Sequence, residues 1–149
     1  MEEGGARVRA PDREPGLAPY PFEQVNAIIG LMQRVLLVDD HAEFRAHARG
    51  LILSAGYRVI AEAIDGSTAL RAADLHQPEI VVLDIRLPDM SGLDVARRLQ
   101  AGPNPPIVIL ISSGDRREYE QVAREAGARG FIAKADLTPA ALRLLADRA

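Results

Sequence analysis

RVLLVDDH, residues 34–41, is the stretch that decides the fold. Val35 to Val38 are four apolar residues in succession, the pattern of a strand buried on both faces, not of a sheet with one wet face. The run ends on Asp39 and Asp40, two carboxylates side by side where the strand stops. A core strand has no need of two adjacent like charges at its end.

Outward from this stretch the chain repeats one theme. EFRAHARGLILSAG places Phe44, Ala48, Leu51, Ile52 and Ala55 at helical spacing, with Gly56 as the stop. YRVIAEAI reads as a second strand, and Asp65-Gly66 turns into the helix STALRAADLH. EIVVLD is a third strand. A loop holding Pro88 and Gly92 leads to the helix LDVARRLQ, and PIVILIS follows a Pro-rich turn as a fourth strand. REYEQVAREAG is a fourth helix, RGFIAK a fifth strand, and Thr138 can cap a last helix beginning at Pro139. Strands alternating with helices imply right-handed crossovers and a parallel sheet covered on both faces. The expected fold is a doubly wound α/β domain over residues 34–149, with five parallel strands and five helices.

Residues 1–33 differ in composition. Pro11, Pro15, Pro19 and Pro21 lie among Gly and mixed charge, which reads as a disordered tail, with FEQVNAIIGLM apolar enough for a short helix over 22–32. Two other readings stay open: a helix that docks on the domain or a partner, and a natural start at Met32. The opening MEEGGARVRAPDREP lacks the apolar core of a signal peptide. The 149 residues are 48% hydrophobic and 26% charged with a net charge of −3, the balance of a soluble globular protein, expected in the cytoplasm. With no cysteine, disulfides and thiolate metal sites are excluded. No block of Lys or Arg offers a footprint for nucleic acid.

In an open parallel sheet the site lies beyond the carboxyl ends of the strands. There the first strand delivers Asp39 and Asp40, the third Asp84, the fourth Ser112 and the fifth Lys134. Each alone is ordinary: an Asp at a strand end is most often a cap or a solvated loop residue. Five at one rim are not. Two carboxylates about 5 Å apart repel by about 3 kcal/mol at an effective dielectric near 20, a sizeable share of a domain stability of about 5–15 kcal/mol. A bound cation relieves that repulsion. Oxygen donors without His or Cys ligands suit a hard divalent ion, Mg²⁺ first. Such an ion beside a further Asp, a hydroxyl and an ammonium suits a phosphoryl group, and the third carboxylate can attack phosphorus to form an acyl phosphate.

On VDDH, VVLDIRLPDMSGLDV, VILISS and GARGFIAK, all in order and register, residues 34–149 resemble the receiver domain of bacterial two-component response regulators. The pattern is most similar to receivers that precede a helix-turn-helix domain. The resemblance implies a flavodoxin-like sheet of strand order 2-1-3-4-5. It implies Asp84 as phosphate acceptor, and Mg²⁺ held by Asp39, Asp40, Asp84 and the backbone carbonyl of Arg86. Lys134 would pair with the phosphoryl oxygens, Ser112 would be the switch hydroxyl and Phe131 the aromatic that turns inward behind it. Phosphorylation would come from a histidine kinase or phosphotransfer protein and shift a pre-existing equilibrium. The signalling face, around REYEQVAREAG, RGFIAK and the last helix, would engage a downstream protein or a second copy on phosphorylation.

Three positions depart from the family's commonest pattern. Ala135 follows Lys134 where Pro with a cis bond is frequent, Ser113 replaces a smaller residue, and Arg86 places a long side chain beside the acceptor. His41 is expected to start the first helix and not to bind metal, His47 and His76 to be solvated, and DRREYE at 115–120 to be an exposed helix start. Either a stand-alone regulator or a fragment of a longer DNA-binding one fits; LTPAALRLLADR falls where the last helix belongs and is not read as an output domain. The alternatives are an interaction module that is never phosphorylated and a phosphohydrolase with an Asp nucleophile. The second would need an Asp where Arg86 stands, so no turnover of an external substrate is expected beyond the domain's own phosphoryl transfer and its autodephosphorylation.

Overall fold

The computed structural model describes residues 22–114 and 116–147. Expectations for residues 1–21, for Asp115 and for the last two residues therefore lie outside the described residues. The chain divides into two units, Met1–Met32 and Gln33–Ala149. In the first, α1 runs from Phe22 to Leu31.

In the second, the elements are β1 (Arg34–Val38), α2 (Ala42–Ser54), β2 (Arg58–Ala63), α3 (Gly66–His76), β3 (Ile80–Asp84), α4 (Gly92–Gln100), β4 (Ile107–Ser112), α5 (Arg116–Glu125), β5 (Gly130–Ala133), a 3₁₀ turn (Lys134–Asp136) and α6 (Pro139–Ala146). The five strands are parallel in the order β2-β1-β3-β4-β5. The expected order 2-1-3-4-5 is thus observed, and five helices cover the sheet.

Period-2 alternation within β1 sorts its side chains between two cores. Leu36 and Val38 point to the side covered by α3, α4 and α5, where they meet Ala69, Val95, Ala96 and Ala123. Val35 and Leu37 point to the other side, against Ala48 and Ile52 of α2 and Leu142 and Ala146 of α6. Leu36, Leu37, Leu83, Ile109 and Leu110 are fully buried, each contributing about 1.5–3 kcal/mol of hydrophobic stabilisation.

Local signals set the helix ends. Asp65 caps α3 through the Thr68 N–H at 2.9 Å, and Thr68 returns the bond to the Asp65 N–H, a capping box. Ser91 caps α4 and Thr138 caps α6, with Pro139 at the first helical position. At the far end of α2, Gly56 takes φ +97°, a left-handed value that a side chain disfavours, and the helix stops. The guanidinium of Arg34 donates to the carbonyls of His76 and Gln77 at 2.8 Å each, satisfying oxygens that the end of α3 leaves open.

One boundary matters for the site. Lys134 was expected inside the fifth strand, but pairing stops at Ala133, opposite Ser112, and Lys134 begins the 3₁₀ turn. The backbone turns there, and the side chain reaches back to the sheet edge, where Nζ meets Asp39 and Asp84. Among the described residues no peptide bond is cis, so Lys134–Ala135 is trans.

Candidate functional site

β1, β3 and β4 all stop at one edge, and registry decides what meets there. Val38 lies opposite Leu83, so Asp39 follows β1 where Asp84 ends β3; Ile111 lies opposite Asp84, which puts Ser112 one residue beyond. Among the described residues, Asp39, Asp84 and Ser112 are the buried polar side chains, at 0%, 3% and 1% exposure. Asp40, next in sequence, points to the open rim.

Lys134 closes the cluster from β5. Its Nζ lies 2.6 Å from Asp39 Oδ2 and 3.1 Å from Asp84 Oδ2. Asp39 Oδ1 accepts from the His41 backbone N–H at 2.8 Å, and Asp84 Oδ1 accepts from the Arg86 N–H at 3.0 Å. Burial works against charge on Asp39, but the Lys134 ammonium and the His41 N–H outweigh it and hold the carboxyl below its usual range. For Asp84 burial wins, and its carboxyl is raised despite the Arg86 N–H and Lys134. Desolvation would lower Lys134, yet its two carboxylate partners raise it, keeping it charged.

Asp39, Asp40, His41 and Asp84 bring ligand atoms within 4.8 Å of one another, a group able to hold a divalent ion. The residues suit one. Three carboxylates face a single ammonium, leaving two formal negative charges, and buried Asp39 Oδ2 makes no well-aligned hydrogen bond. Oxygen donors carrying net negative charge are the donor set of a hard cation.

The other expected site residues fall around this cluster. Ser112 Oγ accepts from the Gly114 N–H at 3.2 Å. Phe131 is not at the carboxylates; it lies inward, 5% exposed, its ring centroid 5.5 Å from that of Tyr119. The Arg86 side chain leans away from Asp84 and donates to the Tyr119 hydroxyl at 3.1 Å, while its backbone bridges to Ser91. Ser113 and Ala135 are exposed.

Four residues beside the cluster were not expected from sequence to take part in it. The Lys134 ammonium sits 4.5 Å above the Phe44 ring, an attraction that steadies it; Phe44 read as a core residue, which it also is. Arg45 donates to the Asp39 carbonyl at 2.7 Å and is itself held by Glu62 at 2.9 Å. A cation in the first turn of a helix opposes the helix dipole, and that was the available signal for Arg45. Gly92 packs so closely under the acceptor that a Cβ there would overlap the backbone of Asp84 and Ile85. His41, expected only to start a helix, turns its ring back onto the acidic pair: Nδ1 lies 3.0 Å from Asp40 Oδ1 and 3.3 Å from Asp39 Oδ1.

The chain is similar to known proteins in sequence and in fold. Residues 35–145 match the family described as the response regulator receiver domain. The chain is 35% identical over 112 residues to the transcriptional regulatory protein PdtaR of Mycobacterium tuberculosis, covering 72% of this chain and 54% of that protein. It is 39% identical over 102 residues to the probable transcriptional regulatory protein NarL of the same organism, covering 68% and 47%. Among solved structures, the signal receiver domain of the putative response regulator NarL from M. tuberculosis superimposes with a TM-score of 0.69 at 35% identity, over 78% of this chain and 98% of that one. A LuxR-family two-component response regulator from Aurantimonas sp. SI85-9A1 does so with a TM-score of 0.70 at 33% identity, over 78% and 87%. The chain spans about half the length of the curated relatives it matches. With the sheet order, the acidic edge and the match over residues 35–145 in agreement, the chain belongs to the response regulator receiver domain family.

Proposed function

We propose that Asp84 is the phosphoryl acceptor of this receiver and that Asp39, Asp40 and Lys134 make the transfer possible. The single observation that carries this is the position of Asp84: a buried carboxylate at the end of β3, one oxygen on the Arg86 N–H and the other on the Lys134 ammonium. Receiver domains are signalling modules and not turnover enzymes, so the transfer is to the protein itself.

A carboxylate oxygen of Asp84 attacks phosphorus of a phosphohistidine on a histidine kinase or phosphotransfer protein. The P–O bond forms, the P–N bond breaks, and the donor imidazole leaves and takes up a proton. Lys134 then neutralises oxygens of the acyl phosphate. Asp39, Asp40, Asp84 and the carbonyl of Arg86 are the groups that would hold Mg²⁺. Bound there, the ion would supply positive charge to the phosphoryl oxygens. A structural neighbour supports this: the Borrelia burgdorferi CheX–CheY complex, solved with BeF₃ and Mg²⁺, aligns with a TM-score of 0.68 at 28% identity.

Ser112 and Phe131 are the proposed switch pair, and the face formed by α5, β5 and α6 is where a downstream protein or a second copy would bind. Phe131 lies inward against Tyr119 of α5, which ties the proposed switch aromatic to that face.

The test is intact mass after incubation with Mg²⁺ and acetyl phosphate, with Asp84→Asn and a chelated sample alongside. Gain of one phosphoryl mass, absent in both controls, is expected. No gain in any sample would leave a receiver fold used for binding alone; a gain that persists in Asp84→Asn would place the acceptor elsewhere.

A further inference from the structure

His41 occupies the N-cap position of α2, where Ser, Thr, Asp or Asn would normally accept a backbone N–H, and its side chain makes no capping hydrogen bond. Its ring is turned instead to the acidic pair. Nδ1 stands 3.0 Å from Asp40 Oδ1 and 3.3 Å from Asp39 Oδ1, with the side chain 70% exposed at the mouth of the pocket.

Those spacings are those of neighbouring ligands on one ion. At bond lengths of about 2.1 Å, adjacent positions of an octahedron lie about 3.0 Å apart and opposite positions about 4.2 Å apart. The two contacts match the shorter separation. The full group of Asp39, Asp40, His41 and Asp84 spans at most 4.8 Å. It therefore needs a contraction of only about half an ångström to close on an ion.

We propose that His41 Nδ1 is a direct ligand of the divalent-ion site, and that it biases the pocket toward first-row transition ions such as Mn²⁺ over Mg²⁺. The inference rests on reading the acidic edge as a metal site. Carboxylate and carbonyl oxygens suit Mg²⁺ and Mn²⁺ alike, whereas imidazole nitrogen is a softer donor that strengthens transition-ion binding and adds little for Mg²⁺. A ring fixed one residue beyond the acidic pair converts an all-oxygen pocket into a mixed one. The competing state is a ring that only hydrogen-bonds the carboxylates when no ion is present.

The decisive experiment is pulsed EPR of Mn²⁺ bound to the full chain, read for ¹⁴N coupling from a directly bound imidazole, together with Mg²⁺ competition to give the ratio of affinities. Wild type, His41→Ala, His47→Ala and Asp40→Asn are compared; His41 is exposed enough that its loss leaves the fold intact. Nitrogen coupling is expected in wild type and His47→Ala and lost in His41→Ala, with the Mn²⁺ preference falling about tenfold or more. The Mg²⁺ affinity of His41→Ala should stay within about threefold of wild type, since magnesium gains little from nitrogen. Mn²⁺ bound with Asp40-dependent affinity but without nitrogen coupling would overturn the role of His41 and leave the metal pocket standing. Absence of Mn²⁺ binding, or binding indifferent to Asp40→Asn, would overturn both.

Discussion

Lys134→Met removes one positive charge while keeping most of the side chain's length, and it isolates what the ammonium does for the acidic edge. In the native domain Nζ lies 2.6 Å from Asp39 and 3.1 Å from Asp84, both of which are buried. Without it, two carboxylates whose ligand atoms lie within 4.8 Å face each other across the sheet edge. At an effective dielectric of about 20 their repulsion is then about 3.5 kcal/mol or more. Breaking a buried ion pair by deleting one partner characteristically costs about 3–5 kcal/mol, since the remaining charge is left uncompensated. Against a total of about 5–15 kcal/mol, that is a large fraction of the domain's stability. Urea unfolding at pH 7, in chelator and in millimolar Mg²⁺, measures it. The variant should be about 3–5 kcal/mol less stable than wild type in chelator, with an unchanged denaturant slope. Mg²⁺ should restore part of the loss, because a cation held by Asp39, Asp40 and Asp84 replaces the missing charge and binds only the folded state. A loss below about 1 kcal/mol would mean that solvent already screens the pair as at an exposed site, and the electrostatic account of the cluster would be wrong. The same loss with and without Mg²⁺ would refute the metal-holding role of the three carboxylates.

Gly92→Ala should destabilise the domain by about 1–3 kcal/mol and depress labelling by acetyl phosphate, because its Cβ would press on the backbone of Asp84 and Ile85; unchanged unfolding and labelling would show that the loop yields freely. Arg45→Met removes the guanidinium that donates to the Asp39 carbonyl and one of the two that pair with Glu62, and should cost about 1–3 kcal/mol by thermal or urea unfolding at pH 7. Burial opposes charge on Glu62, but Arg49 and Arg45 more than offset it and hold its carboxyl below the usual range. A depressed carboxyl stabilises the fold above its unfolded pKa and loses that contribution on acidification, so the gap between wild type and Arg45→Met should narrow at acid pH; a constant gap would refute the charge pairing. Tyr57 is pushed up to about 12 by burial and by donating to Asp147 Oδ1 at 3.0 Å. The unfolded phenol ionises near pH 10 and the folded one near 12, so between them the unfolded state holds fewer protons and stability falls by about 1.4 kcal/mol per pH unit. Tyr57→Phe should lack that component, and parallel alkaline unfolding profiles for the two proteins would refute it.

How much of this was legible without coordinates follows from the range of the interactions involved. Fold class was legible because strands buried on both faces leave an unmistakable run of apolar residues: Val35–Val38 and Ile107–Ile111 allow little else. The caps at Asp65 and Thr138 and the stop at Gly56 are likewise local, decided within four residues. The candidate acceptor and the acidic pair were legible for a topological reason, since a parallel sheet collects the ends of all its strands at one edge. Resemblance to a known family added the order of the strands and a role for each residue.

Side-chain direction was another matter. The backbone turn after Ala133 aims Lys134 over the edge, and the ring of Phe44, 90 positions earlier in the chain, lies beneath its ammonium. Arg45 spans from the Asp39 carbonyl to Glu62 on the neighbouring strand, a pairing across positions 39, 45 and 62. Arg86 leans to Tyr119 instead of Asp84 because α5 presents a hydroxyl on that side. His41 looked like a helix start in one dimension, and in three it is a ring folded back on two carboxylates. Sequence by itself determined which groups arrive at the edge, since hydrophobic periodicity sets the strands and the strands deliver their ends. Tertiary structure alone decided which of those groups touch, because contacts between residues far apart in sequence depend on register and rotamer, neither of which a local pattern encodes.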